Sequence, residues 1–259
     1  MKYRVFALFV VVIFVAGAAF AQKSEKPFTQ WSKDDALRMV NESAWAKSYQ
    51  STASSSAAAA QQIAREQQQS RIRGAPESYR TDRNFGTPPI IVRLHSALPI
   101  RQAMVRLQQI ANGYDKMNES DKAAFDNSKK GFLECNICKD YYVVTITKAT
   151  DASRSTVEEG VFQGMTFDEL KGNVRLVNDA GEERQIAQFN APKGPTDMTV
   201  MYFKRMDDNG KPLLSPMSKS FELVFKSEFL DVKNRFTVYV PRTMEFTVSK
   251  IVVGESLIF

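Results

Sequence analysis

Short strands with period-two hydrophobicity fill the second half of this 259-residue chain, and they limit its possible folds more than any other feature. Turn-forming residues separate the strands at 178–181, 192–195 and 208–210, where glycine, asparagine, aspartate and proline favour tight turns. Only one helical turn, at 166–170, interrupts the series. Such a pattern predicts an antiparallel, β-sandwich-like C-terminal half. The predicted strands are 141–147, 174–177, 184–189, 199–203, 221–225, 236–240 and 246–253.

Two helices are predicted before these strands. A β-rich run at 90–95 ends close to Pro99, a favoured first residue of a helix, and Asn112-Gly113 provides the left-handed stop. A second helix, over about 119–130, begins after Asn118. Together they predict an antiparallel helical hairpin packed on the strands, which makes the fold class α+β. The apolar face of the first helix comprises Ile100, Ala103, Met104, Leu107, Ile110 and Ala111.

The N-terminal part of the mature chain is predicted to be a helix followed by a strand. Ser32 and Asp35 have the spacing of a helix cap, and Trp45 and Tyr49 alternate with polar neighbours. Residues 51–70 are almost all Ser, Thr, Ala or Gln, which bury too little to offset the entropy of ordering. This leaves open whether the N-terminal part docks on the body or binds a partner. The predicted organisation is 22–50 helix and strand, 51–89 linker and loop, 90–148 strand, hairpin and strand, and 149–259 sandwich-like region.

An export leader is predicted at residues 1–21. Lys2 and Arg4 precede an apolar run, and Ala19-Phe20-Ala21 before Gln22 has the small-x-small form of a signal peptidase site. An uncleaved anchor is the alternative, since the apolar stretch is close to the length that spans a bilayer. We expect cleavage between Ala21 and Gln22, no membrane span afterwards, and a mature protein in the periplasm or outside the cell.

Charge and composition exclude several classes of function. The net charge is +6, or about +4 without Lys2 and Arg4, and the excess is not clustered as a nucleic-acid surface requires. One histidine and two cysteines are too few for a multi-histidine metal site or a four-cysteine cluster in a single copy. We therefore predict no metal site, no cofactor and no nucleic-acid partner.

Cys135 and Cys138 form the most compact constellation that could carry chemistry. In an oxidising compartment, a pair at this spacing is predicted to form a structural disulfide that pins the helical hairpin to the next strand. A redox-active dithiol is an alternative, although a predicted strand at 141–147, and not a helix, follows the pair. A metal half-site completed by a second subunit is another. Haem attachment is excluded because Lys139, and not histidine, follows the second cysteine.

Other candidate residues have simpler structural roles. His95 lies at the end of a predicted strand, and nothing in the sequence assigns it a nucleophile or an orienting acid. The acidic stretch 207–210 lacks the spacing of a calcium loop and is predicted to be a hairpin turn. Asn41 and Asn118 match the glycosylation pattern but are better explained as helix punctuation. We predict no catalytic residue.

Several short segments resemble a family of exported bacterial proteins that occurs as large paralogous sets in soil-type bacteria. The matching residues are Trp31-Ser32-x-x-Asp35, Ser43-Ala44-Trp45-Ala46-Lys47, the segment 92–97 and Arg101-Gln102-Ala103, and the resemblance covers 27–50 and 90–145. It implies a bacterial envelope location and no activity.

The sequence favours an exported, non-enzymatic module that binds a ligand or has a structural role in the envelope. Its partner would be an envelope protein or a small ligand. The alternative is an exported enzyme, either a dithiol oxidoreductase that uses Cys135 and Cys138 or a hydrolase whose site is not visible in the sequence.

Overall fold

Strands dominate the computed structural model, which describes residues 26–49, 89–149, 160–233, 240–248, 252–253 and 256–257. The predicted leader, and the predicted linker apart from Pro89, lie outside these residues. In the described part the strands are β1 Ala46–Tyr49, β2 Ile90–Leu94, β3 Tyr141–Lys148, β4 Val174–Asn178, β5 Glu183–Asn190, β6 Thr199–Lys204, β7 Ser220–Phe225, β8 Thr243–Thr247, β9 Val252–Val253 and β10 Ser256–Leu257. The α-helices are α1 Lys33–Asn41, α2 Leu98–Ala111, α3 Glu119–Glu134, α4 Phe167–Leu170 and α5 Ser227–Lys233.

Eight of the strands form one antiparallel sheet in the order β1-β2-β3-β6-β5-β4-β7-β8. The sheet curls into a half-barrel. The evidence is that β1 and β8, the two ends of the strand order, approach each other: Lys47 Nζ of β1 lies 5.7 Å from the centre of the Phe246 ring of β8. A register shift between Ile186 and Gln188 in β5 lies near the middle of the sheet, where such bulges increase bending. The mixed α+β class is confirmed.

The predicted β-sandwich is not confirmed. β5 pairs with both β4 and β6, so the strands that we assigned to a sandwich belong to the same sheet as β1, β2 and β3. Period-two hydrophobicity identifies the two faces of a strand but not its neighbours. The strand predicted over 246–253 is replaced by β8 and β9, and the one predicted over 236–240 lies outside the described residues except for Val240.

Apolar side chains on the inner face of the half-barrel form the main core. Burial alternates along β4, β6 and β7, as period two requires. Phe221 of β7 and Phe246 of β8 stack with ring centres 5.0 Å apart. The chain itself fills the concave side through the buried residues Val161, Phe162, Met165, Leu170, Leu213, Leu214 and Leu230.

Both predicted helices of the hairpin exist, but the predicted hairpin packing is not confirmed. Gly113 at φ 69° ends α2 as expected. α2 packs on the sheet through Ile100 and on α1 through Ala103, whereas no residue of α3 is buried. In the structure it is α1 that packs against α2, where Ala36, Val40 and Ala103 belong to one buried cluster.

The N-terminal segment docks on the body, which settles the question that the sequence left open. β1 pairs with β2 in antiparallel register from Ala46 opposite Arg93 to Tyr49 opposite Ile90. The cap predicted at Ser32 is present, since its hydroxyl accepts the Asp35 amide at 3.1 Å.

Two buried arginines connect this segment to the body. Arg93 donates to the Val40 carbonyl, to Asn41 Oδ1 at 3.1 Å and to Thr147 Oγ1 at 2.8 Å. Arg106 donates to the Trp31 carbonyl at 2.8 Å and makes a two-fold ion pair with Asp115.

Among the described helices, none has the length and apolar character that crossing a membrane requires.

We expect the Arg93→Met substitution to lower the free energy of unfolding by about 2–4 kcal/mol, because three partners lose a charged donor. Limited proteolysis of the native protein should then remove the N-terminal segment faster. Arg38→Met is the control, since the Arg38 side chain is 70% exposed in its ion pair with Asp35 and should change stability by about 0.5 kcal/mol or less. Equal effects in urea denaturation of the two variants would contradict the docking role of Arg93.

Candidate functional site

The cysteine pair lies at the junction between α3 and β3. Cys135 ends α3 in the left-handed conformation, with φ 45°, and its amide donates to the Gly131 carbonyl at 3.0 Å. A 3-10 helix, Asn136–Lys139, follows and contains the second cysteine. The two sulfur atoms are 1.98 Å apart and the Cα atoms 5.3 Å apart. The junction therefore places both cysteines at disulfide distance.

The two cysteines differ in exposure. Cys138 is buried, with 5% of its surface accessible. Cys135 is partly exposed, and it is followed by Asn136 and Ile137, which are both exposed. Ile137 is one of three large apolar side chains that are exposed in the described part of the chain. Cys135 is therefore the more accessible residue of the pair.

Arg101 of α2 contacts the buried sulfur. Its Nη1 lies 3.6 Å from Cys138 Sγ and donates to the carbonyls of His95 and Ser96, and its Nε donates to the Leu133 carbonyl at 3.1 Å. Only 3% of Arg101 is exposed, and no carboxylate among the described residues forms an ion pair with it. Burial lowers the pKa of its guanidinium to about 10, and Arg205 acts in the same direction. Arg101 therefore stays a cation at neutral pH.

Arg205, directly after β6, is a second cation beside the pair. Its Nε donates to the Cys138 carbonyl at 2.7 Å, and its guanidinium lies 4.7 Å from the centre of the Tyr142 ring. Burial lowers the pKa of Arg205 and raises the pKa of Tyr142. The carbonyl and the sulfur of Cys138 are thus each held by a different arginine.

His95 lies one residue beyond β2 and joins the same cluster. Its ring packs edge-on against Phe132 with ring centres 5.4 Å apart, and its Nδ1 is buried without a described hydrogen-bond partner. Burial, with smaller contributions from Arg101 and Arg93, lowers the pKa of His95 to about 4. The imidazole is therefore neutral at pH 7, and the Ser96 hydroxyl beside it is also buried without a described partner.

The other residues considered in the sequence form turn, cap and arginine contacts. Asp207 Oδ1 accepts the amides of Asn209 and Lys211 and shapes a turn that closes at Gly210. Asn118 caps α3, and Asn41 accepts from Arg93. Within the described ranges, no three His, Cys, Asp or Glu side chains are grouped in a way that could hold a metal ion.

Sequence reasoning identified the cysteines but missed the two arginines. Arg101 is not on the predicted apolar face of α2, yet it is buried, as are Ile100 and Ala103 on that face. Arg205 is 67 residues from Cys138 in the sequence. Residue spacing carries no signal for such a contact, which only the curling of the sheet and the packing of α2 create.

A separate surface feature is an open cleft of about 320 Å³ between the β4–β5 turn and the loop that precedes β7. Asn178 and Glu182 line one side, and Lys211 and Ser218 line the other. Lys211 Nζ pairs with Glu182 across the cleft. Met217, 89% exposed, lies at the rim. The cleft therefore combines charged, hydroxyl and apolar groups.

Comparison with protein-family models, curated proteins and solved structures finds no match to this chain. The resemblance of the segments around Trp31, Trp45 and His95 to exported bacterial proteins therefore stays a prediction. Function has to be argued from the cysteine cluster and the cleft themselves.

The neutral His95 predicts a specific pH dependence of stability. Because its pKa is about 4 in the folded state and about 6.5 when unfolded, the unfolded chain binds more protons between these values. The stability that the folded protein gains from holding His95 neutral is complete above pH 6.5 and is lost as the pH falls towards 4. Between pH 7 and pH 4.5, we expect the wild type to lose about 2 kcal/mol more stability than His95→Gln in urea denaturation. Parallel pH profiles of the two proteins would contradict a buried neutral His95.

Proposed function

We propose that this chain is an exported module that acts in the bacterial envelope by binding another protein. Export rests on the predicted leader at 1–21, and cysteines at disulfide distance suit an oxidising compartment. The partner that we propose is an envelope protein, and its contact surface on this chain is the cleft beside Met217.

The filled half-barrel supports a role for the outer surface. Phe162, Leu170 and Leu213 occupy its concave side together with the inward-facing residues of the strands. A curled sheet that carries a small molecule needs free space at this place, and here the chain's own side chains occupy it. This filling favours a ligand-binding surface on the outside of the described half-barrel.

The composition of the cleft favours a protein over a small molecule. Pockets for small molecules enclose most of their ligand, whereas this cleft is open to solvent on one side. Its rim presents the exposed side chain of Met217 next to the Lys211–Glu182 ion pair. Methionine beside polar groups is typical of protein interfaces, where its flexible side chain adapts to the partner. No described residue favours the hydrolase alternative over this one.

Site-specific photo-crosslinking in intact bacteria tests this proposal. The full chain, with its leader, carries a benzoylphenylalanine in place of Met217. We expect one product of discrete higher mass after irradiation. Met206 is the matched control position, since it is also an exposed methionine, at 50%, and does not line the cleft.

Competition distinguishes specific binding from random capture. Excess unlabelled wild-type protein should suppress the product at least about 10-fold, as expected for occupation of one site, whereas the Met217→Glu variant should not, because a charge replaces the apolar contact. Met206→Glu should compete as well as the wild type. Equal products at positions 217 and 206, or no product at either, would contradict the proposed surface.

A further inference from the structure

Arg101 is a buried cation whose described partners do not include an anion. Three backbone carbonyls accept its N–H groups, and its remaining close contact is Cys138 Sγ at 3.6 Å. Carbonyl dipoles offset only part of the cost of burying a charge. If the bond between the cysteines opens, a thiolate on Cys138 supplies the missing negative charge at that contact. Arg101 therefore favours the opened state with the charge on Cys138.

The difference in exposure fixes the direction of attack. The sulfur of Cys135 belongs to a partly exposed residue next to Asn136 and Ile137, whereas Cys138 is 5% exposed. A thiolate from solvent therefore reaches Cys135 Sγ, and Cys138 becomes the leaving group. Thiol–disulfide exchange is faster when the leaving thiol is more acidic. Arg101 thus lies beside Cys138 Sγ, the sulfur that leaves as a thiolate, and stabilising this thiolate speeds the reaction.

We propose that Cys135 and Cys138 form a thiol–disulfide exchange site, in which a client thiolate attacks Cys135 and Arg101 stabilises the departing Cys138 thiolate. This reaction goes beyond the proposed function, since none of its residues lines the cleft. The client class is a peptide or protein with two thiols.

The electrons and atoms of the exchange balance without a further reactant. In the first step the Cys135–Cys138 bond breaks, a bond forms between the client sulfur and Cys135, and the electron pair stays on Cys138. The second client thiolate then attacks the client sulfur of this mixed disulfide and releases Cys135 as a thiolate. The client dithiol is oxidised to a disulfide, and the pair in this protein is reduced to two thiols.

The other charged groups near Cys138 leave this assignment intact. Arg205 donates to the Cys138 carbonyl at 2.7 Å, and burial lowers the pKa of Arg205 while Tyr142 and Asp140 act in the opposite direction. His95 is neutral at pH 7 and adds no charge. Lys139, on the same 3-10 helix, is exposed to solvent.

Single-cysteine variants of the full chain test the proposal directly. Cys135→Ser leaves Cys138 as the lone thiol, and Cys138→Ser leaves Cys135. The ultraviolet absorbance of the thiolate, followed against pH, should show Cys138 ionising about two pH units below the ordinary value of about 8.5, and Cys135 ionising close to that value. A Cys138 that ionises at or above about 8.5 would overturn the proposal.

Removal of the cation supplies the second test. The oxidised wild type is mixed with reduced glutathione, and the opening of the bridge is followed by alkylation and mass spectrometry. We expect Arg101→Gln to slow opening at least about 10-fold, because the leaving thiolate loses its cation. Arg106→Gln is the matched control, since Arg106 is also buried in α2 but donates to the Trp31 carbonyl and Asp115.

A loss of folding and a loss of the cation's effect can be told apart. Circular dichroism establishes that each arginine variant is folded, and if Arg101→Gln is not, the single-cysteine titration alone decides. Equal rates for folded Arg101→Gln and Arg106→Gln would overturn the role of Arg101. The crosslinking at Met217 is independent of these measurements, so its failure would leave the exchange site standing and the reverse also holds.

Discussion

Buried guanidinium groups that donate to backbone carbonyls hold the separate parts of this molecule together. Arg93 binds the Val40 carbonyl, Arg106 the Trp31 carbonyl, Arg101 the carbonyls of residues 95, 96 and 133, and Arg205 the Cys138 carbonyl. Each contact satisfies a carbonyl near the end of a helix or in a turn, where regular hydrogen bonding stops. An arginine can reach such a carbonyl because its guanidinium group carries five N–H donors at the end of a long side chain. The N-terminal segment and the loop with the cysteines are therefore held on the half-barrel by a few charged contacts in addition to apolar packing.

These contacts give α2 and β2 a central position. The unit runs from Ile90 to Ala111 and carries three of the four arginines. On one side it holds the N-terminal segment, which adds β1 as the edge strand of the sheet, and on the other it holds the loop with the cysteines. The proposed exchange chemistry follows from this arrangement, because the cation beside Cys138 is one that the fold already uses to position the end of α3. The proposed binding surface beside Met217 lies on the β4–β5 turn and on the loop that precedes β7, and it uses none of these four arginines.

Local features of the fold could be predicted from the sequence, and the connections between them could not. Alternating apolar residues predicted β3 to β7, and Ser32, Asn118 and Gly113 predicted helix ends, because each of these signals acts within a few residues. The pairing of β5 with both neighbours and the approach of Lys47 to Phe246 depend on the whole curled sheet. Likewise the cysteines could be found as candidates, but nothing in the sequence pointed to a contact between Arg101 and Cys138, since no local pattern distinguishes a guanidinium that binds carbonyls from one that faces water.

Amide hydrogen exchange of the wild-type full chain, read by mass spectrometry, measures how firmly the buried arginines hold the N-terminal segment on the body. If the arginine contacts hold the N-terminal segment on the body, peptides covering α1 and β1 should exchange at least about 100-fold more slowly than an unstructured peptide of the same sequence, and peptides at the end of α3 should be protected as well. Exchange of α1 and β1 at the unstructured rate, while β2 and β3 remain protected, would contradict the account.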